Sequence, residues 1–308
     1  VVRLAAILCI LAAGCVSQRL AAPRAEANWV NSLNMKFISI PAGEFVMGSP
    51  ASEPLRFENE TPHRVRITHR FSMSATHVTV AQFAAFVKDS GYVTAAEKEG
   101  WAYGAWNTTT NQWDKFDGAN WRNPGFPQTP DHPVVDVTWN DAMAFCQWLS
   151  QKEGKTYALP TEAQWEYACR AGSNTAYIWG DDPDAGAGFA NCLDQSARER
   201  FTLFPPFNWF DGFVYTSPVA SFKPNAWGLY DMLGNTLQWC SDYFGDYPPD
   251  QPGHPITDPA RTTGEQRNLR GGAFIYGPKH SRCAFRGRNN ADFRNFYIGF
   301  RIICTDNA

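Results

Sequence analysis

Apolar residues recur at helical spacing in three stretches. Val80, Phe83, Ala84 and Val87 form one stripe behind Thr79, whose hydroxyl can accept a free amide of the first turn. Ala142, Phe145, Cys146 and Leu149 form a second, in a segment that Thr138 opens, that runs through Lys152 and that Gly154 stops. Thr161 and Gln164 are spaced as a capping box and predict a third helix ending near Gly172. Glu153, Glu162 and Glu166 read as helix-face and capping groups. Phe37 to Met47 predicts two short strands around Pro41-Ala42-Gly43. Between the first two helices, Gly91 to His132 is rich in Trp, Asn and Gly, and is expected to be a long loop, functional or fixed by its own packing. Beyond Gly172 the pattern breaks into irregular segments with short strands. No repeat is visible, and no linker divides the chain from Met35 onward.

Composition agrees with that pattern. Of 308 residues, 44% are hydrophobic and 15% aromatic, enough for a sizeable core. Charged residues are only 19%, beside 24 Gly and 21 Pro, which suits a loop-rich globule rather than a helical bundle. A net charge of -3 gives no reason to expect nucleic acid as a partner.

The N-terminus has the pattern of an export signal. Arg3 precedes an apolar run from Leu4 to Ala13, too short to span a bilayer. The run ends in Leu11-Ala12-Ala13-Gly14-Cys15, which resembles a lipoprotein signal with Cys15 as the lipid-bearing residue. Residues 1–15 are then the signal through its Cys, 16–34 a polar tether, and 35–306 one domain. Val16 follows the Cys where an Asp would retain the protein at an inner membrane. The expectation is an outer-membrane lipoprotein facing the periplasm or the cell surface, held by its lipid. The alternative is plain secretion, with cleavage after Ala25-Glu26-Ala27. Beyond Cys9 and Cys15, an even set of six cysteines remains, which points to disulfides in an exported chain.

Six stretches resemble, in order, the formylglycine-generating enzyme or sulfatase-modifying-factor family. They are Ile40-Pro-Ala-Gly-Glu-Phe-Val-Met-Gly48, His132-Pro-Val-Val135, Leu159-Pro-Thr-Glu-Ala-Gln-Trp-Glu-Tyr-Ala168, Gly228-Leu-Tyr-Asp-Met-Leu-Gly-Asn-Thr-Leu-Gln-Trp239, Leu269-Arg-Gly-Gly272 and Gly299-Phe-Arg301. The resemblance implies an α+β fold, a variant of the C-type lectin fold with little regular secondary structure. It implies structural calcium at Asn191, the Cys192 carbonyl, Asp211 and the Phe213 carbonyl. A second calcium site would use Asp231, the Gly234 and Thr236 carbonyls, and Gln238, where the family has Asn and Glu at the two side-chain positions. It implies disulfides Cys146–Cys304 and Cys169–Cys283, and leaves Cys192 and Cys240 to pair with each other or stay buried. The family enzyme binds copper through two thiolates after its Arg-Gly-Gly strand. Here the first position falls on Tyr276, and the second lies in a shortened stretch without Cys, so copper is not expected. Glu265, just before Arg267, is a weak candidate acid-base group.

The tail also resembles variable proteins of diversity-generating retroelements, which share this fold. On that spacing the variable, ligand-binding set is Ile275, Tyr276, Gly277, Lys279, His280, Phe285, Gly287, Arg288, Asn289, Asn290, Phe293, Asn295, Phe296 and Tyr297. Eight of these fourteen are Phe, Tyr or Asn, a mix of rigid aromatics and adaptable amides that suits a binding face. The expectation is therefore a ligand-binding protein for an unidentified protein or small molecule, with these side chains exposed between anchoring residues Arg282, Arg286, Arg294 and Arg301. The alternative is a non-copper or cofactor-independent oxidoreductase of the same family, such as a siderophore (pyoverdine) maturation enzyme.

Overall fold

The computed structural model describes residues 27–107, 109–110, 112–249 and 253–305; the signal segment with Cys15 lies outside them. Strands β1 (Ala27–Val30), β2 (Lys36–Ile40), β3 (Gly43–Met47), β4 (His63–Ile67) and β5 (Phe71–Ser74) precede helix α1 (Val80–Ser90). β2 and β3 are the two strands expected around Pro41, but they enter different sheets. β1 corrects the expected tether. It pairs antiparallel with β2, and Trp29 stacks on Phe37 with ring centroids 4.3 Å apart.

The stretch expected as a loop holds a short helix, α2 (Ala95–Glu99), and a hairpin of β6 (Trp101–Asn107) and β7 (Gln112–Asp117). Next come α3 (Trp139–Glu153), β8 (Thr156–Ala158) and α4 (Glu162–Arg170). All four helices open on Thr. Thr79, Thr94, Thr138 and Thr161 each accept the amide three residues on, and Gln82, Glu97, Asp141 and Gln164 return the bond. α1 and α3 end on left-handed Gly91 and Gly154, and α4 on left-handed Ala171.

After α4 come β9 (Leu237–Tyr243), β10 (Ile256–Thr257), β11 (Arg267–Arg270), β12 (Gly287–Asn289), β13 (Ile298–Gly299) and β14 (Ile303–Thr305). A five-stranded sheet runs β1-β2-β5-β14-β8, and a four-stranded sheet runs β12-β11-β9-β13. One buried cluster gathers Phe83, Phe86 and Phe145 from α1 and α3 with Phe274, Phe296 and Phe300 from the tail. The other packs α4 through Trp165 and Cys169 against Met73, Leu229 and Met232. Irregular backbone between α4 and β9 crosses itself closely. A Cβ on Gly234, at φ 80°, would lie 2.3 Å from the Asn191 carbonyl oxygen, so only glycine fits that crossing.

Candidate functional site

Two left-handed glycines, Gly271 and Gly272, turn the chain out of β11 into the segment that carries the family's chemistry. Arginines hold this segment down. Arg282 reaches Glu53 at 2.6 Å and Glu60 at 2.6 and 2.7 Å, all buried. Arg286 makes a two-pronged pair with Glu162 at 2.7 and 2.9 Å, and Arg270 pairs with Glu166. Arg294 meets Glu99 at 2.6 Å, and Arg301 donates to Gln238 and to the Ser74, Tyr230 and Asp231 carbonyls. Glu162 and Glu166 are thus buried anchors, a correction to their reading as helix-face groups.

Between those pins lies a half-buried aromatic cluster. Tyr276 and Tyr297 are hydrogen-bonded through their side chains, with ring centroids 5.7 Å apart. The His280 ring lies 5.2 Å from Tyr276, 4.6 Å from Phe204, 5.2 Å from Phe285 and 5.5 Å from Phe57. Lys279 places its Nζ 4.4 Å over Phe57 at the rim. Burial, then the Lys279 and Arg282 charges, lowers His280 to about 4, so its imidazole is neutral at pH 7. Burial raises both tyrosines, Tyr276 to about 12. The cluster therefore places a neutral imidazole beside a phenol pair. It contains no thiol of its own, because Cys283 faces Cys169 with sulfurs 3.7 Å apart.

The expected exposed face is not formed. Ile275, Gly277, Phe285, Phe293, Asn295, Phe296 and Tyr297 are buried. Phe296 packs on Phe126, Phe201 and Phe274, and Phe293 stacks on Tyr103 at 4.7 Å. Gly277 abuts Pro205, whose carbonyl oxygen would lie 1.9 Å from an added Cβ. Tyr276, His280, Gly287 and Asn289 are half-buried, and Lys279, Arg288 and Asn290 are exposed. The aromatics turn inward because they fill core that the helices leave open. The arginines do anchor the backbone as expected.

At the first calcium position, the buried Asn191 Oδ1 has no hydrogen-bond partner, while its Nδ2 donates to the Tyr215 carbonyl. Asp211 accepts the Cys192 amide at 3.0 Å and the Phe213 amide at 2.7 Å. Burial pushes it up to about 7, with Asp194 adding to the rise. An orphaned oxygen beside a carboxylate that lacks a counter-charge fits a calcium ion. The second position fits less well. Asp231 Oδ1 is likewise buried without a partner, but Gln238 Oε1 already accepts from Trp165 at 2.8 Å and Arg301 at 2.5 Å. The Thr236 carbonyl faces His77 Nε2 at 3.2 Å, and Gly234 donates its amide to the Gly271 carbonyl. Arg301 supplies the positive charge there.

All six described cysteines are buried thiols, a correction to the expected bonds. Cys169 and Cys283 touch at van der Waals distance, too far for a bond. Cys146 and Cys304 share one core cluster; Cys192 and Cys240 both lie in the other. Glu265 is exposed ahead of β11. The residues that the sequence did not single out are Glu53, Glu60, Phe57 and Phe204, each more than 70 positions from its tail partner.

The sulfatase-modifying factor enzyme 1-like domain family matches residues 23–306. The formylglycine-generating enzyme of Streptomyces coelicolor is 37% identical over 302 residues, covering 88% of this chain and 89% of that protein. Among solved structures, PvdO from Pseudomonas aeruginosa superposes with a TM-score of 0.69 at 28% identity, over 89% of this chain and 95% of its own. Treponema denticola variable protein 1 superposes with a TM-score of 0.67 at 21% identity, over 92% and 99%, which establishes a shared fold. With the motifs in order, the fold matched and the match spanning nearly the whole described chain, this protein belongs to the sulfatase-modifying-factor, formylglycine-generating-enzyme-like family.

Proposed function

We propose that the chain is an oxidoreductase of this family that works without copper, on an aromatic small molecule held at the Tyr276–His280 cluster. The observation that carries the reading is the aromatic cluster: a neutral imidazole beside a phenol pair, packed on half-buried Phe57 and Phe204, where the family has thiolates. The likeness to PvdO supports it. The inward packing of the tail aromatics removes the main support for a diversified binding face. In the proposed reaction a phenolic substrate gives up two electrons and two protons to dioxygen, leaving a quinone-type product and hydrogen peroxide. His280 takes a substrate proton and the Tyr276 hydroxyl orients the ring.

Oxygen uptake with 4-methylcatechol as the probe tests this. Uptake above the buffer rate that falls at least tenfold in H280Q supports the reading. Equal rates with wild type and H280Q overturn it.

Calcium would be held by Asn191 Oδ1, Asp211 and the Cys192 and Phe213 carbonyls, fixing irregular backbone that has no sheet ladder to satisfy it. The chain would be exported and lipid-anchored through Cys15. The strand beginning at Ala27 supports this over cleavage after Ala27, which would remove its first residue. Mass spectrometry of the mature N-terminus distinguishes the two.

A further inference from the structure

On the other side of the segment that carries Phe285, Arg286 faces a separate cavity of about 420 Å³. That volume suits a small molecule. Met47, Ala163, Pro248, Pro259 and Ala260 give it apolar walls, and Asp242 lies in its floor. The charges there are unequally matched. Glu162 is taken up by Arg286, which also donates to the Asn59 and Gly245 carbonyls. Arg261 lies on the exposed rim beside Asp246, where it reaches the Asp246 carbonyl at 3.5 Å. The His63 ring packs 4.5 Å from Tyr247, with Nδ1 bonded to the Thr61 carbonyl. Asp242 is the buried carboxylate there without an ion pair. It is only 8% exposed, one oxygen accepts the Glu162 amide at 2.8 Å, the Asn268 side chain also bonds to it, and among the described residues no cation forms an ion pair with it. Arg267 feels the Asp242 charge but donates to the Ser241 carbonyl at 2.7 Å and lies between the Trp139 and Tyr243 rings.

A buried carboxylate without a cation is costly unless something supplies one. Burial and the Glu162 carboxylate push Asp242 up to about 7, which is the electrostatic sign of that missing charge. An anionic ligand would meet Glu162, Asp242 and Asp246 together. A neutral apolar ligand would leave Asp242 as it is. We propose that this cavity binds a primary ammonium group carried on an apolar body, the ammonium on Asp242 and the body against Met47, Ala163 and the prolines. The site is independent of the Tyr276 cluster and of any reaction there.

Calorimetric titration of the full chain at pH 8 with benzylamine tests the proposal, with benzyl alcohol as the uncharged control. Saturable benzylamine binding at least tenfold tighter than benzyl alcohol, lost at least tenfold in D242N, is the expected result. Ala260 is exposed on the cavity wall, so A260W should block the cavity while circular dichroism stays unchanged, and it carries the test if D242N fails to fold. Equal affinity for the alcohol, undiminished binding in D242N or A260W, or no saturable heat up to about 10 mM overturns the proposal.

Discussion

Two buried polar regions lie on either side of the chain's Arg-Gly-Gly turn, and they are built on opposite terms. Under the tail, Arg270, Arg282 and Arg286 each meet a glutamate, and carbonyls take many of the remaining donors. In the loops between α4 and β9, Asn191 Oδ1, Ser217 Oγ and Asp231 Oδ1 are buried with no hydrogen-bond partner, although Asp231 Oδ2 accepts the Ala220 amide. The first region draws nearly all its partners from the protein itself, although the buried Arg270 Nε has none. The second has acceptors in excess, as a site does that is finished by a cation. The first region ties irregular tail backbone to α4 and β11 through ion pairs, whereas the second lies in loops that no sheet ladder holds.

Breaking the ion-paired region should cost the most. E60A leaves the Arg282 guanidinium buried beside a single remaining carboxylate, Glu53, and should destabilise the fold by roughly 3–5 kcal/mol in urea unfolding. A loss below about 1 kcal/mol would mean that water reaches Arg282 and that the region is not closed. The incomplete region should answer to calcium instead. At a hundredfold excess over Kd, calcium should add about 2.7 kcal/mol, read as a rise in Tm that N191A and D211N abolish. An unchanged Tm on adding and chelating calcium would remove the contrast.

Asp242 allows a pH test on a third buried acid. Its folded pKa, about 7, is raised from an ordinary 3.8, so the folded state holds its proton more tightly than the unfolded state does. Its contribution is fully present below about 4 and is lost as pH rises through about 7. Between pH 5 and pH 8 wild type should lose roughly 2–3 kcal/mol more than D242N, measured by denaturation at each pH. Parallel curves would mean the carboxylate has a counter-charge. The smallest effect belongs to the exposed pair of Arg66 and Glu44 at 2.6 Å, where E44A should change stability by less than about 1 kcal/mol.

Much of this architecture was legible because it is local. A Thr followed three residues later by a side chain that can return the bond marks a helix start whatever lies around it; Thr161 with Gln164 reads that way, and Thr79 and Thr138 read as caps from the apolar stripes behind them. Thr94 and Glu97 carry the same signal, but the surrounding Trp, Asn and Gly concealed it. β1 was hidden by a polar context, since its pairing with β2 depends on a turn and not on an apolar run. The cluster was half legible. Tyr276 and His280 follow from the position of the Arg-Gly-Gly turn, whereas Glu60 lies 222 positions from Arg282 and no periodicity connects them. The tail aromatics were misread because enrichment in Phe and Tyr does not say which way the rings point. Phe296 meets Phe126 across 170 residues, and that contact decides it.

The position of β14 has a consequence for how the protein is made. It lies between β5 and β8 inside the five-stranded sheet, so Met73 pairs with Ile303 and Tyr157 with Cys304. Until the segment around Ile303 has left the ribosome, the sheet is two separate pieces with open edges. The nascent chain must therefore wait, with β5 and β8 unpaired on those sides, and closure joins residues about 230 apart. Such distant pairing is slow, and unpaired edges invite association with other chains. For this fold the vulnerable interval is the one before β14 emerges, when a chaperone that shields strand edges would raise the yield most.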